Sequence, residues 1–418
     1  MAPPCSTVSG QQSRPRTLTL TFIPGLPNDL AALILLFVPY SHHSRLKSVS
    51  KSWRMLFSSR TIISLRRKLL SPPRLSHFLC IFPEDPSITS PCLFDPQNLS
   101  WCLLPPMPCN PHVYGLCNFT SIAVGPHLYI LGGSLFDTRT FPLDVPSPSS
   151  SAFRFNFSAS SWESLSPMIT PRGSFACAAI PNSDKILVAG GGSRHKVFGA
   201  AGSSLSSVEM YDIGKDVWVP LDGLPGFRAG CVGFFVGHGE EDQEFWVMGG
   251  YGNSRTISNV LPVDQYYKDA VAMELKNGGK WKEIGDMWEE GERGRLGKIV
   301  VVEGDDFDAP AVFMLEESNI FRYQRSPNRW WKETSLPKKT ADDKSVGFVG
   351  LDGELYVMTV LSGTSAAQSH TSRQHKSPST ILTQIYHPKK KSWRLFTSKP
   401  PFNHSLDFST AILCSIRL

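Results

Sequence analysis

The 418-residue chain is 41% apolar and 19% charged, carries a net charge of +6 and holds nine cysteines. That length admits two or three domains, or one small domain beside a large repetitive one. Its longest apolar run, residues 30–38, is far too short to span a bilayer, so no membrane partner is expected.

The first 75 residues contain eleven Lys and Arg against one acid, Asp29; that local charge of +10 leaves −4 for the remainder. Arg45, Lys47, Lys51 and Arg54 alternate with apolar helical positions, which reads as a solvated face. No nucleic-acid partner is expected, whereas an acidic protein partner is compatible. The cysteines form no CxxC pair, and Cys102, Cys109 and Cys117 match no common zinc spacing. An odd cysteine count without a secretory signal core reads as reduced thiols in the cytosol or nucleus.

Residues 1–22, beginning MAPPCSTVSGQQSRPR, read as a disordered tail. Residues 23–70 are the helical part. Asn28 is placed to cap a helix carrying Leu30, Leu33, Ile34, Phe37 and Val38, which Pro39 stops. Ser44 is placed to cap a second helix with Leu46, Val49, Trp53 and Leu56; a third runs through Ile62, Ile63, Leu65 and Leu69. His42-His43 falls between the first two and reads as a solvated turn rather than a metal site. Three short helices bury little area alone, so their apolar stripes need a partner.

The string GLPNDLAALILLFVPYSHHSRLKSVSKSWRMLFSS carries Leu-Pro-x-Asp-Leu, Ile-Leu, Val-Pro and Leu-x-x-Val-x-Lys-x-Trp-Arg in order. It resembles the F-box, with Ser50 standing where that family commonly has cysteine. The resemblance implies a face that docks on a Skp-type adaptor, and through it on cullin. The matching positions are Leu26, Pro27, Leu30, Ile34, Val38, Pro39, Leu46, Val49 and Trp53.

From about residue 76 the texture changes to short β-branched and aromatic runs between Gly, Pro, Asp and Asn, which reads as all-β. Six tryptophans recur about every sixty residues: Trp101, Trp162, Trp218, Trp281, Trp330 and Trp393. Five carry an aromatic seven positions earlier: Phe94, Phe155, Tyr211, Tyr323 and Tyr386. Glu274 holds that place before Trp281, so one register slips. A diglycine closes an apolar run at 128–133, 186–191 and 245–250; VFMLEE and LYVMTV replace it in the last two repeats. The Trp and its aromatic partner can fill the wedge between neighbouring sheets.

These units resemble kelch repeats, which form propeller blades. The fold expected is mainly β: a six-bladed kelch β-propeller over 76–418, preceded by a small three-helix F-box module over 23–70. Residues 77–82, 90–95 and 100–104 supply three strands without a first one, and 409–418 supply one strand without a sheet. Joining them gives a composite blade from 76–106 plus 407–418 and leaves no open sheet edge. Residues 134–150, 192–206 and 362–379 are polar, Gly- or Ser-rich insertions after second strands, read as flexible loops on one face.

No phosphate-binding glycine loop, GxSxG elbow or HExxH motif is present, and no cofactor or metal is expected. F-box followed by kelch repeats is similar to the plant-type F-box/kelch family, which implies a non-catalytic substrate-recognition subunit of a Skp–cullin–F-box ubiquitin ligase. The propeller would hold a target protein for ubiquitination and proteasomal degradation. Receptors for phenylpropanoid-pathway enzymes occur in that family, so such an enzyme is one candidate target. The alternative is a non-degradative kelch scaffold that binds or sequesters the adaptor; a small-molecule-binding propeller ranks third. The kelch pattern often places an arginine where the chain enters a first strand, and Arg172, Arg228 and Arg295 stand there, with Lys344 and His404 at similar places. Either they form a basic rim that attracts an acidic target segment, or each bonds neighbouring carbonyls and braces the ring.

Overall fold

The computed structural model describes residues 21–418 except 60, 70–74, 84–89, 109–113, 138–146, 193–203, 238–241, 253–254, 258–260, 264–265, 277–278, 289–295, 304–309, 340–344, 362–379 and 401–405. Among the described residues four helices form near the N-terminus where three were expected: α1 (Asn28–Leu36), α2 (Tyr40–Leu46), α3 (Lys51–Ser58) and α4 (Thr61–Leu69). Asn28 does not cap α1. Pro27 precedes the helix, and the Asn28 Oδ1 accepts the Phe22 N–H at 3.1 Å. Pro39 both ends the first run and opens α2, where a missing N–H costs nothing. Ser44 lies inside α2 rather than before a helix. The cap of the next helix is Ser50: it is extended, and its hydroxyl accepts the Trp53 N–H at 3.1 Å. The expected second helix therefore breaks at 47–50.

The rest of the described chain is β. It contains six four-stranded antiparallel sheets. Sheet 1 runs, in spatial order, Ile412–Arg417, His77–Phe82, Cys92–Asp95 and Ser100–Leu103. Sheet 2 is Thr120–Val124, His127–Leu131, Ala152–Asn156 and Ser161–Leu165; sheet 3 is Ala176–Ala179, Lys185–Ala189, Val208–Asp212 and Val217–Leu221. Sheet 4 is Val232–Val236, Glu244–Met248, Asp269–Glu274 and Trp281–Asp286. Sheet 5 is Lys298–Val302, Ala311–Glu316, Asn319–Gln324 and Arg329–Ser335; sheet 6 is Val346–Leu351, Glu354–Leu361, Thr380–His387 and Ser392–Ser398. Sheet 1 joins distant parts of the chain, with Phe78 opposite Ile416 and Cys80 opposite Cys414. Apolar clusters fill the gaps between successive sheets, and Leu79, Ile81 and Phe94 of sheet 1 pack with Val349, Tyr356 and Met358 of sheet 6.

The seven-residue spacing of aromatic and Trp has a simple cause. It places the two directly opposite each other across the hairpin between third and fourth strands, as in Phe94–Trp101, Tyr211–Trp218 and Tyr386–Trp393. Their ring centroids lie 4.5, 4.7 and 5.0 Å apart. In sheet 4 a register shift between Ala270 and Val271 brings Met273 opposite Trp281, and the indole leans on Phe245 instead. Each of four indoles also reaches back to the preceding sheet. Trp162 Nε1 donates to the Pro105 carbonyl at 2.9 Å, Trp218 to Ser166 at 2.8 Å, Trp281 to Asp222 at 3.1 Å, and Trp393 to the Thr334 hydroxyl at 3.2 Å. Sheet 5 uses Asn328 for this, its amide donating to the carbonyls of Ile284 and Asp286 at 3.0 and 3.2 Å.

The diglycines sit where the loop leading to the next sheet comes close. Gly132 and Gly190 have φ of +61° and +67°, and a Cβ on either would lie 2.3 Å from the carbonyl of Arg172 or Arg228. Beyond each pair the sheet continues as a small three-stranded extension. In sheet 2 it is Tyr114–Cys117, Ser134–Asp137 and Ser147–Pro148; in sheets 3 and 4 single bridges link Gly173, Gly192 and Ser204, then Ala229, Tyr251 and Tyr266. The insertion expected as a loop from 134 therefore begins with a strand. Residues 138–146, 193–203 and 362–379 of the three insertions, and residues 1–20 of the tail, lie outside the described residues. In sheet 5, which lacks the diglycine, Glu316 pairs with Asn319 in a tight hairpin with Glu317 at φ +51°.

Candidate interaction surfaces

The helical module has two apolar faces. Leu35, Leu36, Phe57, Ile62 and Ile63 are buried in one cluster with Phe78 of sheet 1, Phe155 of sheet 2, and Ile416 and Leu418. Tyr40 lies against Phe78 and Phe157, and the Ser41 hydroxyl donates to the Asp95 carboxylate at 2.7 Å. The other face is open. Leu30 and Ile34 are each 51% exposed and Val49 61%, while Leu26 and Pro27 are also exposed.

Four of the nine residues named from the F-box pattern do not join that open face. Val38 and Pro39 are half-buried, and Leu46 and Trp53 pack inward against the shared cluster. The Trp53 Nε1 donates to the Phe22 carbonyl at 2.7 Å and so ties α3 to the segment before α1. Conversely, Leu33, Phe37, Met55, Leu65 and Leu69 are exposed apolar residues that the pattern did not mark as docking positions. The signal for the first two was available. Residues 30–38 are apolar on every side, and a helix of that kind needs cover on two faces.

His43 is not the solvated turn residue expected. It is buried within α2, its ring tilted against Phe57 with centroids 4.6 Å apart, and its Nε2 lies 3.1 Å from the Val38 carbonyl. Burial first, and then the Arg66 guanidinium beside it, push its pKa down to about 3. The neutral ring therefore carries its proton on Nε2 and donates it to Val38. Arg66 itself is buried and donates to the carbonyls of Leu36 and Val38, the open acceptors at the end of α1.

The basic rim does not form from Arg172 and Arg228. Both are buried, because each guanidinium is consumed by its own sheet. Arg172 donates to the carbonyls of Gly190 and Ser207, each at 2.8 Å, and pairs with the buried Glu209 carboxylate. Glu209 also accepts the N–H groups of Ile169 and Thr170, so the loop, the third strand and the diglycine are locked together. Arg228 donates to the Gly249 carbonyl and to Asp269, and lies 4.2 Å from the centre of the Tyr267 ring. With a carboxylate against each, neither offers net charge to a partner. Arg295, Lys344 and His404 lie outside the described residues.

Antiparallel order also separates two ends of the sheets. Turns between first and second strands and between third and fourth lie at one end; second-to-third connections and the loops with Arg172 and Arg228 lie at the other. The helical module contacts the first end, through Asp95 and Phe157, which sit at or beside third-to-fourth turns. The second strands that lead into the insertions end at the second. One chain thus presents an apolar helical face at one end and the second-strand ends that lead into the insertions at the other.

A profile of the F-box domain matches residues 23–64, and one of the Kelch motif matches residues 115–169 and 171–225, which bracket sheets 2 and 3. The F-box/kelch-repeat protein OR23 of Arabidopsis thaliana is 59% identical over 411 residues, covering 96% of this chain and 92% of that protein. From the same organism, the F-box/kelch-repeat protein SKIP30 is 29% identical over 226 residues (51% of this chain, 58% of that one). The F-box protein AFR is 30% identical over 222 residues (53% and 55%).

Proposed function

The chain belongs to the F-box/kelch-repeat family, and from that premise we propose that it is the substrate receptor of a Skp–cullin–F-box ubiquitin ligase. Proteins of this family are typically non-catalytic substrate adaptors, and an F-box implies binding to a Skp-type adaptor. The observation that carries the reading here is the two-faced helical module. Its inner face is used up in the shared core, while Leu26, Pro27, Leu30, Ile34 and Val49 stay open to a partner. Exposed apolar residues gathered on one small helical module in this way point to an interface.

The six sheets are read as the blades of one closed propeller, with Ile412–Arg417 as the inner strand of a composite blade. The helical module occupies one end, so the target is assigned to the other, where the exposed Ile169, Phe227 and Tyr266 lie. No residue of this chain then needs to perform chemistry. Holding a target lysine near a charged conjugating enzyme raises its effective concentration. The cytosol or nucleus is the compartment this role requires, and a phenylpropanoid-pathway enzyme remains one candidate target.

The test is reconstitution with adaptor, cullin and conjugating enzyme, using proteins captured by the full chain while the proteasome is blocked. Ubiquitin transfer to a captured protein, lost without this chain, supports the reading. Adaptor binding that excludes cullin would point to sequestration instead.

A further inference from the structure

We infer that Arg66 is a positioning residue for adaptor docking, tying the end of α1 to the seam where the last strand meets the first strands of sheet 1. The inference rests on the docking role proposed above for the outer face of α1. Arg66 stands on α4 and is 1% exposed, so it does not belong to that outer face. Its guanidinium reaches in two directions. Nη1 donates to the carbonyls of Leu36 and Val38, and Nη2 lies 3.5 Å from the carbonyl of Leu418.

Leu418 continues the seam ladder, exchanging backbone bonds with Ser76 at 2.9 and 3.0 Å. The neighbouring Arg67 donates to the Arg417 carbonyl at 2.9 Å, so α4 grips two successive residues of the seam. Ile416 and Leu418 in turn share one buried cluster with Leu35, Leu36, Ile62 and Ile63. The helix that displays Leu30 and Ile34 outward is therefore held from behind by the strand that joins the two ends of the repeat region.

A buried cation is costly, and with the Arg66 Nε already without a partner the side chain depends on the three backbone oxygens that its Nη1 and Nη2 reach. Opening the seam removes the Leu418 acceptor and lets water to the Leu36 and Val38 carbonyls, which loosens the end of α1. Adaptor docking then depends on a closed seam, and a chain whose repeats have not come together cannot occupy an adaptor. A tethered, independently folded module would lack this dependence.

The test uses the full chain with Arg66→Met and Arg66→Lys, read by adaptor titration and by hydrogen exchange. Removing charge-assisted bonds from buried carbonyls should weaken adaptor binding by at least about tenfold in Arg66→Met. Exchange should rise in 28–38 and 412–417 and stay unchanged in sheet 4. Arg66→Lys, which keeps the charge but cannot span both sets of carbonyls, should fall between. Exchange in the unsubstituted chain under mild denaturant decides the matter even if Arg66→Met does not fold. The helices and the seam should open together, with one denaturant dependence. Helices that lose protection first while 77–82 and 412–417 stay protected would overturn the inference. So would wild-type adaptor affinity in a folded Arg66→Met. If the unsubstituted chain binds no adaptor, the docking role fails, and the exchange result still decides the coupling.

Discussion

The indole Nε1 of Trp218 donates to the carbonyl of Ser166 at 2.8 Å, joining sheet 3 to the last strand of sheet 2. The same carboxylate that accepts the Tyr211 hydroxyl, Asp216, also accepts the Ser166 N–H at 2.9 Å. One Trp–Tyr pair therefore stacks within its own sheet and buckles that sheet to its neighbour. The Tyr211 pKa is raised, chiefly by burial and then by the bond to Asp216, so the phenol stays a donor at any physiological pH.

Trp218→Phe keeps the stack and removes the buckle. It should cost about 1 kcal/mol, the net value of one hydrogen bond, whereas Trp218→Ala should cost about 3–5 kcal/mol by opening a cavity as well. Equilibrium denaturation of both variants checks the ratio; a Trp218→Phe chain as stable as the unsubstituted one would show that the bond contributes nothing.

Arg172→Met should destabilise the chain by about 3–5 kcal/mol, because it leaves the buried Glu209 carboxylate without its cation. Replacing both, Arg172→Met with Glu209→Leu, should recover part of that loss. Thermal unfolding of the single and double variants provides the comparison. A fully stable Arg172→Met would mean that the guanidinium is not a brace.

His43 gives the helical module an acid limit. Its folded pKa, about 3, lies below the ordinary histidine value of 6.5, so between those limits the unfolded chain binds the extra proton. Stability is complete above pH 6.5 and falls by about 1.4 kcal/mol per pH unit as the pH drops toward 3. His43→Gln keeps an N–H for Val38 without titrating, so its stability profile should be flatter over that range. Denaturation of both proteins at pH 7 and pH 5 measures the difference.

Deleting residues 409–418 removes the strand paired with His77–Phe82 and bares the edge of sheet 1. Insoluble or protease-sensitive protein is expected; a truncated chain with an unchanged melting temperature would contradict the composite sheet as a structural necessity.

The repeats were legible because their signal is local. Aromatic and Trp seven apart face each other across one hairpin, and alternation within strands is read from a few neighbouring residues. The slip at Glu274 was visible too, though not that Met273 would take the place opposite Trp281. What was not legible depends on pairs distant in sequence. Arg172 was open to two readings, rim cation or brace, because nothing adjacent shows that Glu209, thirty-seven residues on, neutralises it. The apolar run of α1 announced burial but not which side; Leu35 and Leu36 went inward only because sheet 1 stands behind them. Ser50 matched the F-box pattern imperfectly, and its capping bond to Trp53 supplies a local reason for serine there.

The most direct test of the receptor assignment is adaptor capture by the chain carrying Leu26→Ala and Pro27→Ala. Both residues are exposed on the helical module, away from the core shared with the sheets. Loss of adaptor co-purification with an unchanged β-sheet melting transition is the expected result. Undiminished capture by this folded double variant would contradict docking through the open helical face.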